Sequence, residues 1–277
     1  MIIRIQLEDT SGDIIRKASN GRGISVAALS RATGIDATRL ADFVADKAQP
    51  DEAEARAVAT PLGLDPGKLA DIALERWRPR ELEQPPYIGH QLNARYTSNG
   101  YFMTLDAHKI AAFVDPGGNA ENIISTVQRA QVQLQYILLT HKHHDHVDAL
   151  GPVQKAFPDA RPVIHDLDAP AVGNALQDPI SIVDGETLPF GDGTISMLYT
   201  PGHTDGSACF LYKRSLFTGD TLFAGSAGKI FGERFGYDDL LHSIKSRILD
   251  QPDDIVVLPG HGPPSTVGEE RAHNPFF

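Results

Sequence analysis

The 277-residue sequence predicts an α/β domain that follows a small all-α domain. Two observations support this prediction. Residues 1–78 repeat apolar side chains at helical spacing, whereas residues 87–277 alternate short β-branched runs with helical stretches. A proline-rich segment separates the two patterns, and proline interrupts both helices and strands. We therefore predict a helical domain at 1–78, a linker at 79–86 and a larger domain at 87–277.

The first domain contains the pattern of two helices joined by a tight turn. Ser25 is a good N-cap for the first helix, and Gly34 suits the left-handed conformation that often ends one. A second helix is predicted to start near Asp36, and further helical spacing follows up to Trp77. Over roughly residues 10–75 this order resembles the helix-turn-helix domain of phage-repressor type.

The charges of the second helix argue against DNA binding. Residues 36–46 contain three aspartates and one arginine, and carboxylates that face phosphates weaken binding. We therefore favour a packing or self-association module, which could form a homo-oligomer, over a DNA reader. Residues 1–80 carry 12 basic and 12 acidic side chains, so the net charge of −11 comes from the rest of the chain. This acidic part disfavours nucleic acid as a substrate.

The composition predicts a globular protein without a membrane segment. Hydrophobic residues make up 41% and charged residues 22% of the chain, and no apolar run approaches the length of a membrane span. The N-terminal residues are too acidic and their apolar run is too short for a signal peptide. We therefore expect a cytoplasmic protein.

Short apolar runs in the second domain predict its strands. These runs are residues 110–114, 136–139, 162–164, 195–199 and 255–258. Helical stretches at 120–130 and 237–249 lie between some of them. Strands interleaved with helices indicate an α/β architecture.

The strand that ends at Leu139 is followed by the sequence THKHHDH. This segment offers four potential ligands within six residues, namely His141, His143, Asp145 and His146. Imidazole and carboxylate groups together suit Zn²⁺, Mn²⁺ or iron. A strand end that opens into a loop can direct such side chains into one concave site, so we predict a metal site here.

Three later loops repeat this arrangement. His203 lies in PGHT, Asp220 in TGD and His261 in PGHG, and each motif follows an apolar strand. A single glycine-histidine pair carries little information. Four strand ends that each offer a ligand predict one metal site at an edge of the sheets.

The motifs THKHHDH, PGHT, TGDTLF and PGHG, in this order, resemble the metallo-β-lactamase superfamily and within it the glyoxalase II-like thioester hydrolases. The resemblance covers about residues 87–277. It implies an αββα sandwich for the larger domain, together with a dinuclear metal centre.

The resemblance also implies a role for each ligand. One metal ion is expected to be bound by His141, His143 and His203, the second by Asp145, His146 and His261, with Asp220 as the bridge between them. The nucleophile is then a hydroxide that bridges the metals, and Asp145 beside it is the expected proton acceptor. Two divalent ions are implied, with zinc preferred over iron or manganese.

The stretch TGDTLFAGSAGKIFGE suggests a substrate class. It resembles the glyoxalase II segment in which a lysine and a tyrosine contact the glutathione part of the substrate. Lys229 matches the lysine, and Phe231 stands at the tyrosine position. We therefore predict hydrolysis of a small thioester, with Lys229 and Phe231 as substrate contacts.

Other activities remain open on the sequence alone. Persulfide dioxygenases share the PGHT and TGD motifs but use a single iron, and the presence of His146 and His261 favours the dinuclear hydrolase over them. Hydrolysis of lactones or phosphodiesters is a further alternative. A different class is a transcription regulator that senses a ligand with the larger domain and binds DNA through the N-terminal helices.

Overall fold

The computed structural model describes residues 6–83, 85–93 and 95–277 of the chain. Residues 1–5 lie outside the described residues. They are part of the predicted helical domain and of the N-terminal segment that the sequence predicts is not a signal peptide. Gln84 of the predicted linker and Ala94 also lie outside the described residues. Within the described part of the chain, no helix is long and apolar enough to cross a membrane.

Among the described residues, five helices form the N-terminal part. They are α1 (Ser11–Arg22), α2 (Val26–Thr33), α3 (Ala37–Val44), α4 (Glu52–Leu62) and α5 (Pro66–Ala73). The predicted caps are confirmed: the Ser25 side chain accepts from the backbone N–H of Ala28, and Gly34 ends α2 with a φ of 75°. Asp36 caps α3 in the same way. Local chemistry therefore fixes where α2 ends and α3 begins.

Two six-stranded sheets follow in the part of the chain that the structure describes. The first contains, in spatial order, β1 (Ile88–Asn93), β2 (Ser98–Leu105), β3 (Ile110–Val114), β4 (Gln133–Leu138), β5 (Arg161–His165) and β6 (Ile180–Ile182). The second contains, in spatial order, β14 (Ser265–Thr266), β13 (Val256–Pro259), β10 (Ser215–Gly219), β9 (Ala208–Tyr212), β8 (Gly193–Tyr199) and β7 (Thr187–Phe190). A small hairpin of β11 (Leu222–Phe223) and β12 (Ser226–Ala227) follows β10. The five predicted strands are all present.

Helices cover the outer faces of both sheets. They are α6 (Ala120–Ala130), α7 (His144–Val147), α8 (Leu150–Ala156), α9 (Ala169–Val172), α10 (Tyr237–Ser243) and α11 (Val267–His273), and a π-helical turn at Ile244–Ile248 extends α10. Side chains such as Met103 and Phe210 fill the space between the sheets. Val127 and Leu150 pack against the outer face of the first sheet. The layers confirm the predicted αββα sandwich, preceded by helices.

The N-terminal helices share a core with the second sheet. Ile14 of α1 and Leu69 of α5 belong to the same cluster of buried side chains as Val257 of β13 and Leu240 of α10. Trp77, at the end of the helical part, is also in this cluster. Burial of this apolar surface holds the helices against the sandwich. The division of the chain into two domains at residues 79–86 stays a prediction.

Glu270 of α11 is a fully buried acid beneath this joint core. Its carboxylate accepts from the backbone N–H of Gly225 at 3.0 Å and from Asn274 Nδ2 at 2.8 Å. Burial raises its pKa to about 7, although these hydrogen bonds favour the charged form. The folded chain therefore retains a proton that the unfolded chain loses near pH 4.5. This group loses its contribution to the free energy of unfolding as the pH rises from about 4.5 to about 7.

Glu270→Gln is expected to stabilise the chain at alkaline pH, because the amide is neutral and still offers an oxygen to Gly225 and Asn274. The free energy of unfolding at pH 8 should rise by about 2–3 kcal/mol relative to wild type, with little difference at pH 4.5. Urea unfolding in the presence of a chelator measures this difference without metal effects. Glu121→Gln, at an exposed site on α6, is the matched control. A difference in the free energy of unfolding between Glu270→Gln and wild type that is the same at pH 4.5 and pH 8 would contradict the prediction.

Candidate metal centre

The predicted ligands meet at one edge of the sandwich. His141 follows β4, and His143, Asp145 and His146 lie in the next loop and in α7. The other three ligands, His203, Asp220 and His261, follow β8, β10 and β13. These three strands run in the same direction, since β10 is parallel to β13 and antiparallel to β9, which is antiparallel to β8. Their carboxyl ends therefore open toward the loop after β4.

The seven side chains form three overlapping groups. The groups are His141 with His143 and His203, His141 with His146 and Asp220, and Asp145 with His146 and His261. In each group the ligand atoms lie within 4.8 Å of one another. This spacing allows a single ion to contact all members of a group.

Asp220 lies between the outer members of these groups. Its Oδ1 is 3.3 Å from His146 Nε2, and its Oδ2 is 3.5 Å from His203 Nε2 and 3.7 Å from His261 Nε2. One carboxylate thus reaches histidines that belong to different groups. This position suits a carboxylate that is shared by two ions.

Hydrogen bonds to the Nδ1 atoms orient three of the histidines. His146 donates to Asp115 Oδ2 at 2.9 Å, and His203 donates to the carbonyl of Lys229 at 2.7 Å. His141 Nδ1 lies 3.0 Å from the hydroxyl of Thr140, which itself donates to Asp115. Each bond fixes the tautomer in which Nε2 carries the lone pair that coordinates a metal.

Three of the donor atoms that face the centre have no hydrogen-bond partner among the described residues. His141 Nε2, His146 Nε2 and Asp220 Oδ1 are buried, and none has a hydrogen bond of acceptable geometry to any described residue. Buried polar atoms without a partner cost free energy, so such a cluster requires an external group. Nitrogen and carboxylate donors around one cavity fit divalent zinc, iron or manganese.

Protonation states also fit metal binding on one side of the centre. Burial, together with the neighbouring imidazoles, lowers the pKa of His141 well below its usual value, and burial lowers that of His203 to about 4. These imidazoles are neutral at pH 7, which is the form that coordinates a metal. Burial has the same effect on His146, but the carboxylates of Asp220 and Asp115 outweigh it and raise its pKa.

A cavity of about 380 Å³ opens over the cluster, and its rim includes residues that the sequence analysis did not select. Glu8 and Lys17 from the N-terminal part line it beside His261 and Asp145. Glu8 Oε1 is 4.0 Å from His261 Nδ1. No local sequence signal marks these two residues, because they reach the cavity only through packing of the helices on the sandwich.

The two predicted substrate contacts lie at the same rim. Lys229 and Phe231 both line the cavity. The Phe231 ring is 56% exposed and meets the rings of His143 and His203 edge-on, with centroids 5.1 and 5.5 Å apart. An exposed aromatic ring over the ligand histidines is well placed to contact a bound molecule.

The model of the metallo-β-lactamase superfamily matches residues 95–261. The chain belongs to this superfamily. The match includes all seven clustered side chains and excludes the N-terminal helices. The resemblance of these helices to a repressor-type helix-turn-helix domain therefore stays a prediction.

Relatives within the superfamily include hydrolases. The chain is 33% identical over 192 residues to hydroxyacylglutathione hydrolase GloC of Haemophilus influenzae, an alignment that covers 63% of this chain and 91% of that protein. It is 28% identical over 198 residues to the probable polyketide biosynthesis zinc-dependent hydrolase PksB of Bacillus subtilis, covering 69% and 88% of the two chains. The chain is thus a metallohydrolase-superfamily member with glyoxalase II-like relatives.

Solved structures support the same fold. The crystal structure of TTHA1623 in a di-iron-bound form superposes with a TM-score of 0.55 and 31% identity, covering 73% of this chain and all of that one. Relatives of this chain thus include proteins described as zinc-dependent and as di-iron-bound.

Proposed function

We propose that this protein is a dinuclear metallohydrolase that cleaves small thioesters, in the manner of glyoxalase II-like enzymes. The observation that carries the proposal is the cluster of ligand groups around Asp220, in which two of the three groups have no residue in common and several buried donor atoms lack a hydrogen-bond partner among the described residues. The hydroxyacylglutathione hydrolase among its relatives supports the thioester as the substrate class. The second ligand group, which a single-iron dioxygenase does not need, favours hydrolysis.

The proposed ligand assignment follows the groups in the cluster. His141, His143 and His203 hold one ion, Asp145, His146 and His261 hold the other, and Asp220 is shared. Zinc is the preferred metal, with iron and manganese as alternatives. When bound, the ions lower the pKa of a water molecule toward about 7 and polarise the carbonyl of the substrate.

Asp145 is proposed as the proton acceptor. Burial opposes its charge, but the hydrogen bond from His261 and the charge of His146 outweigh burial and lower its pKa. Its Oδ2 lies 3.2 Å from His261 Nε2, so the carboxylate is held at the centre. A carboxylate in this position can accept the proton of the attacking water.

Lys229 and Phe231 are proposed to contact the thiol carrier of the substrate. Lys229 is exposed at the cavity rim, and its backbone carbonyl holds His203. A charge at the rim contributes to substrate binding rather than to bond cleavage, because it lies outside the ligand cluster. The side chain of Lys229 is therefore free to serve recognition.

A hydrolysis screen with elemental analysis tests the proposed function. The purified protein is expected to carry about two Zn, Fe or Mn ions per chain, as the two ligand groups require. It should cleave acyl-thioesters faster than lactones or phosphodiesters, and chelation should abolish this activity. Full activity with one tightly bound ion would contradict the dinuclear centre, and a preference for lactones or phosphodiesters would contradict the substrate class.

A further inference from the structure

A second cleft lies between helix α1 and the loop that carries Lys229. It has a volume of about 460 Å³. Its lining residues are Arg16, Lys17, Asn20, Gly21, Gly228, Lys229, Ile230, Phe231 and Tyr237. Lys17, Lys229 and Phe231 also line the cavity over the metal centre. The two spaces therefore adjoin at these three residues.

This cleft is cationic in an acidic protein. Among the described residues that line it, three are basic and none is acidic, although the chain has a net charge of −11. Lys17 is buried, pairs with Asp9 and donates to the carbonyl of Ala227 at 2.7 Å. Arg16 pairs with Asp13 and donates to the carbonyl of Val44. These contacts fix the positions of both side chains, and the two aspartates offset their charge, so the positive charge of the cleft that no described carboxylate offsets is that of Lys229.

Tyr237 lines the cleft and carries a buried hydroxyl. Its side chain is buried, and its hydroxyl has no hydrogen-bond partner among the described residues. Burial raises the pKa of Tyr237 to about 12, so the hydroxyl keeps its proton at neutral pH. A buried donor without a partner is satisfied when a ligand oxygen accepts from it.

We propose that helix α1 forms the second wall of the substrate site, and that this cleft binds the anionic carrier half of the thioester. The ligand chemistry is a carboxylate or a phosphate on the thiol carrier, which Lys229, Arg16 and the Tyr237 hydroxyl contact. This inference rests on the proposed function for the choice of a thioester. It assigns substrate recognition to a helix that lies outside the part of the chain matched by the superfamily model.

Charge variants at Asn20 test the proposal. Asn20 is exposed on α1 and lines the cleft, so a new side chain there alters the charge with little effect on the core. Substrates would be acyl-glutathione, which carries carboxylates, acyl-coenzyme A, which carries phosphates, and the uncharged N-acetylcysteamine thioester. Relative to the uncharged thioester, kcat/KM for the preferred anionic thioester should fall about three- to tenfold in Asn20→Glu and rise in Asn20→Lys. The anionic thioester whose kcat/KM changes in these variants identifies the carrier group.

A matched pair of variants distinguishes the effect of a charge inside the cleft from the long-range effect of the same charge elsewhere on the surface. Ala53→Glu and Ala53→Lys place the same charges on the exposed face of α4, outside this cleft, and should leave the substrate ratios at the wild-type values. Tyr237→Phe removes only the hydroxyl and should also lower the ratio for the anionic thioester. Ratios that are equal in all variants, or that change equally at Ala53 and Asn20, would overturn the proposal while leaving thioester hydrolysis in place.

A binding measurement separates this proposal from the proposed function. Calorimetry with coenzyme A and with glutathione requires no turnover, and binding of one of them should weaken in Asn20→Glu and strengthen in Asn20→Lys. If the wild type cleaves no thioester but shows this charge-dependent binding, the proposed function fails and the anion site stands. If neither thiol binds at millimolar concentration, the anion site is wrong whatever the activity.

Discussion

Replacing Asp220 by alanine is expected to lower kcat/KM by a factor on the order of 10³ or more and to release at least one metal ion. The Asp220 carboxylate lies within 3.7 Å of His146, His203 and His261. The positive charge of His146 and the neighbouring imidazoles overcome burial and hold its pKa well below the usual range. In the proposed dinuclear centre, loss of this anion would leave the two cations facing each other with no shared ligand. Steady-state kinetics and elemental analysis measure both effects.

Two further variants make this test specific. Asp220→Asn keeps one oxygen donor but removes the negative charge, and it should retain more metal than Asp220→Ala while remaining strongly impaired. Asp192→Ala removes a carboxylate that is 69% exposed at the turn between β7 and β8, and it should behave like wild type. If Asp220→Ala retained two ions and wild-type activity, Asp220 would not be a shared ligand.

The ligand cluster could be predicted from sequence because its signals are local. His141, His143, Asp145 and His146 lie within six residues, and the other three ligands each follow an apolar strand. Parallel strand ends that share a sheet edge bring such motifs together. The structure places all seven side chains in one cluster, as the motifs predicted. Which ion each residue holds is still a proposal.

The contribution of the N-terminal helices could not be predicted in the same way. Glu8 and Lys17 are far from Tyr237 and from the metal-site motifs in the chain, and the packing of α1 and the residues before it on the sandwich brings them to the cavities. The sequence predicted both caps of α2 and the start of α3 near Asp36, because helix ends depend on neighbours in the chain. It could not show which face of α1 meets the sandwich.

Strand β1 was also missed, and its sequence explains why. Ile88–Asn93 reads IGHQLN, which has no regular alternation of apolar and polar residues. Among the described strands it lies at the edge of the first sheet, where it pairs with β2. Its backbone pairing, and not an apolar pattern, makes it a strand. A strand at this edge therefore cannot be predicted from its hydrophobic pattern.

Asp115→Asn is expected to weaken metal binding about 10–100-fold, although Asp115 is not a proposed ligand. Its buried carboxylate accepts from His146 Nδ1, from the Thr140 hydroxyl and from the Thr140 backbone N–H, at 2.9, 2.7 and 2.8 Å. It thereby orients His146 directly and His141 through Thr140. An amide has one oxygen and two N–H donors, so it cannot accept all three bonds.

Backbone geometry makes asparagine the informative substitution. Asp115 has a φ of 54°, a conformation that asparagine tolerates and alanine does not. Asp115→Ala should therefore also lower Tm by several degrees, since it adds about 1 kcal/mol of backbone strain to the lost hydrogen bonds. Asp178→Asn is the matched control, because Asp178 has a φ of 47° but an 89% exposed side chain. Metal affinity is measured by competition with a chelator, and Tm by thermal unfolding of the metal-free protein. Wild-type affinity in Asp115→Asn would show that the carboxylate does not orient His146, whereas weakened binding with an unchanged Tm would locate the effect at the metal centre itself.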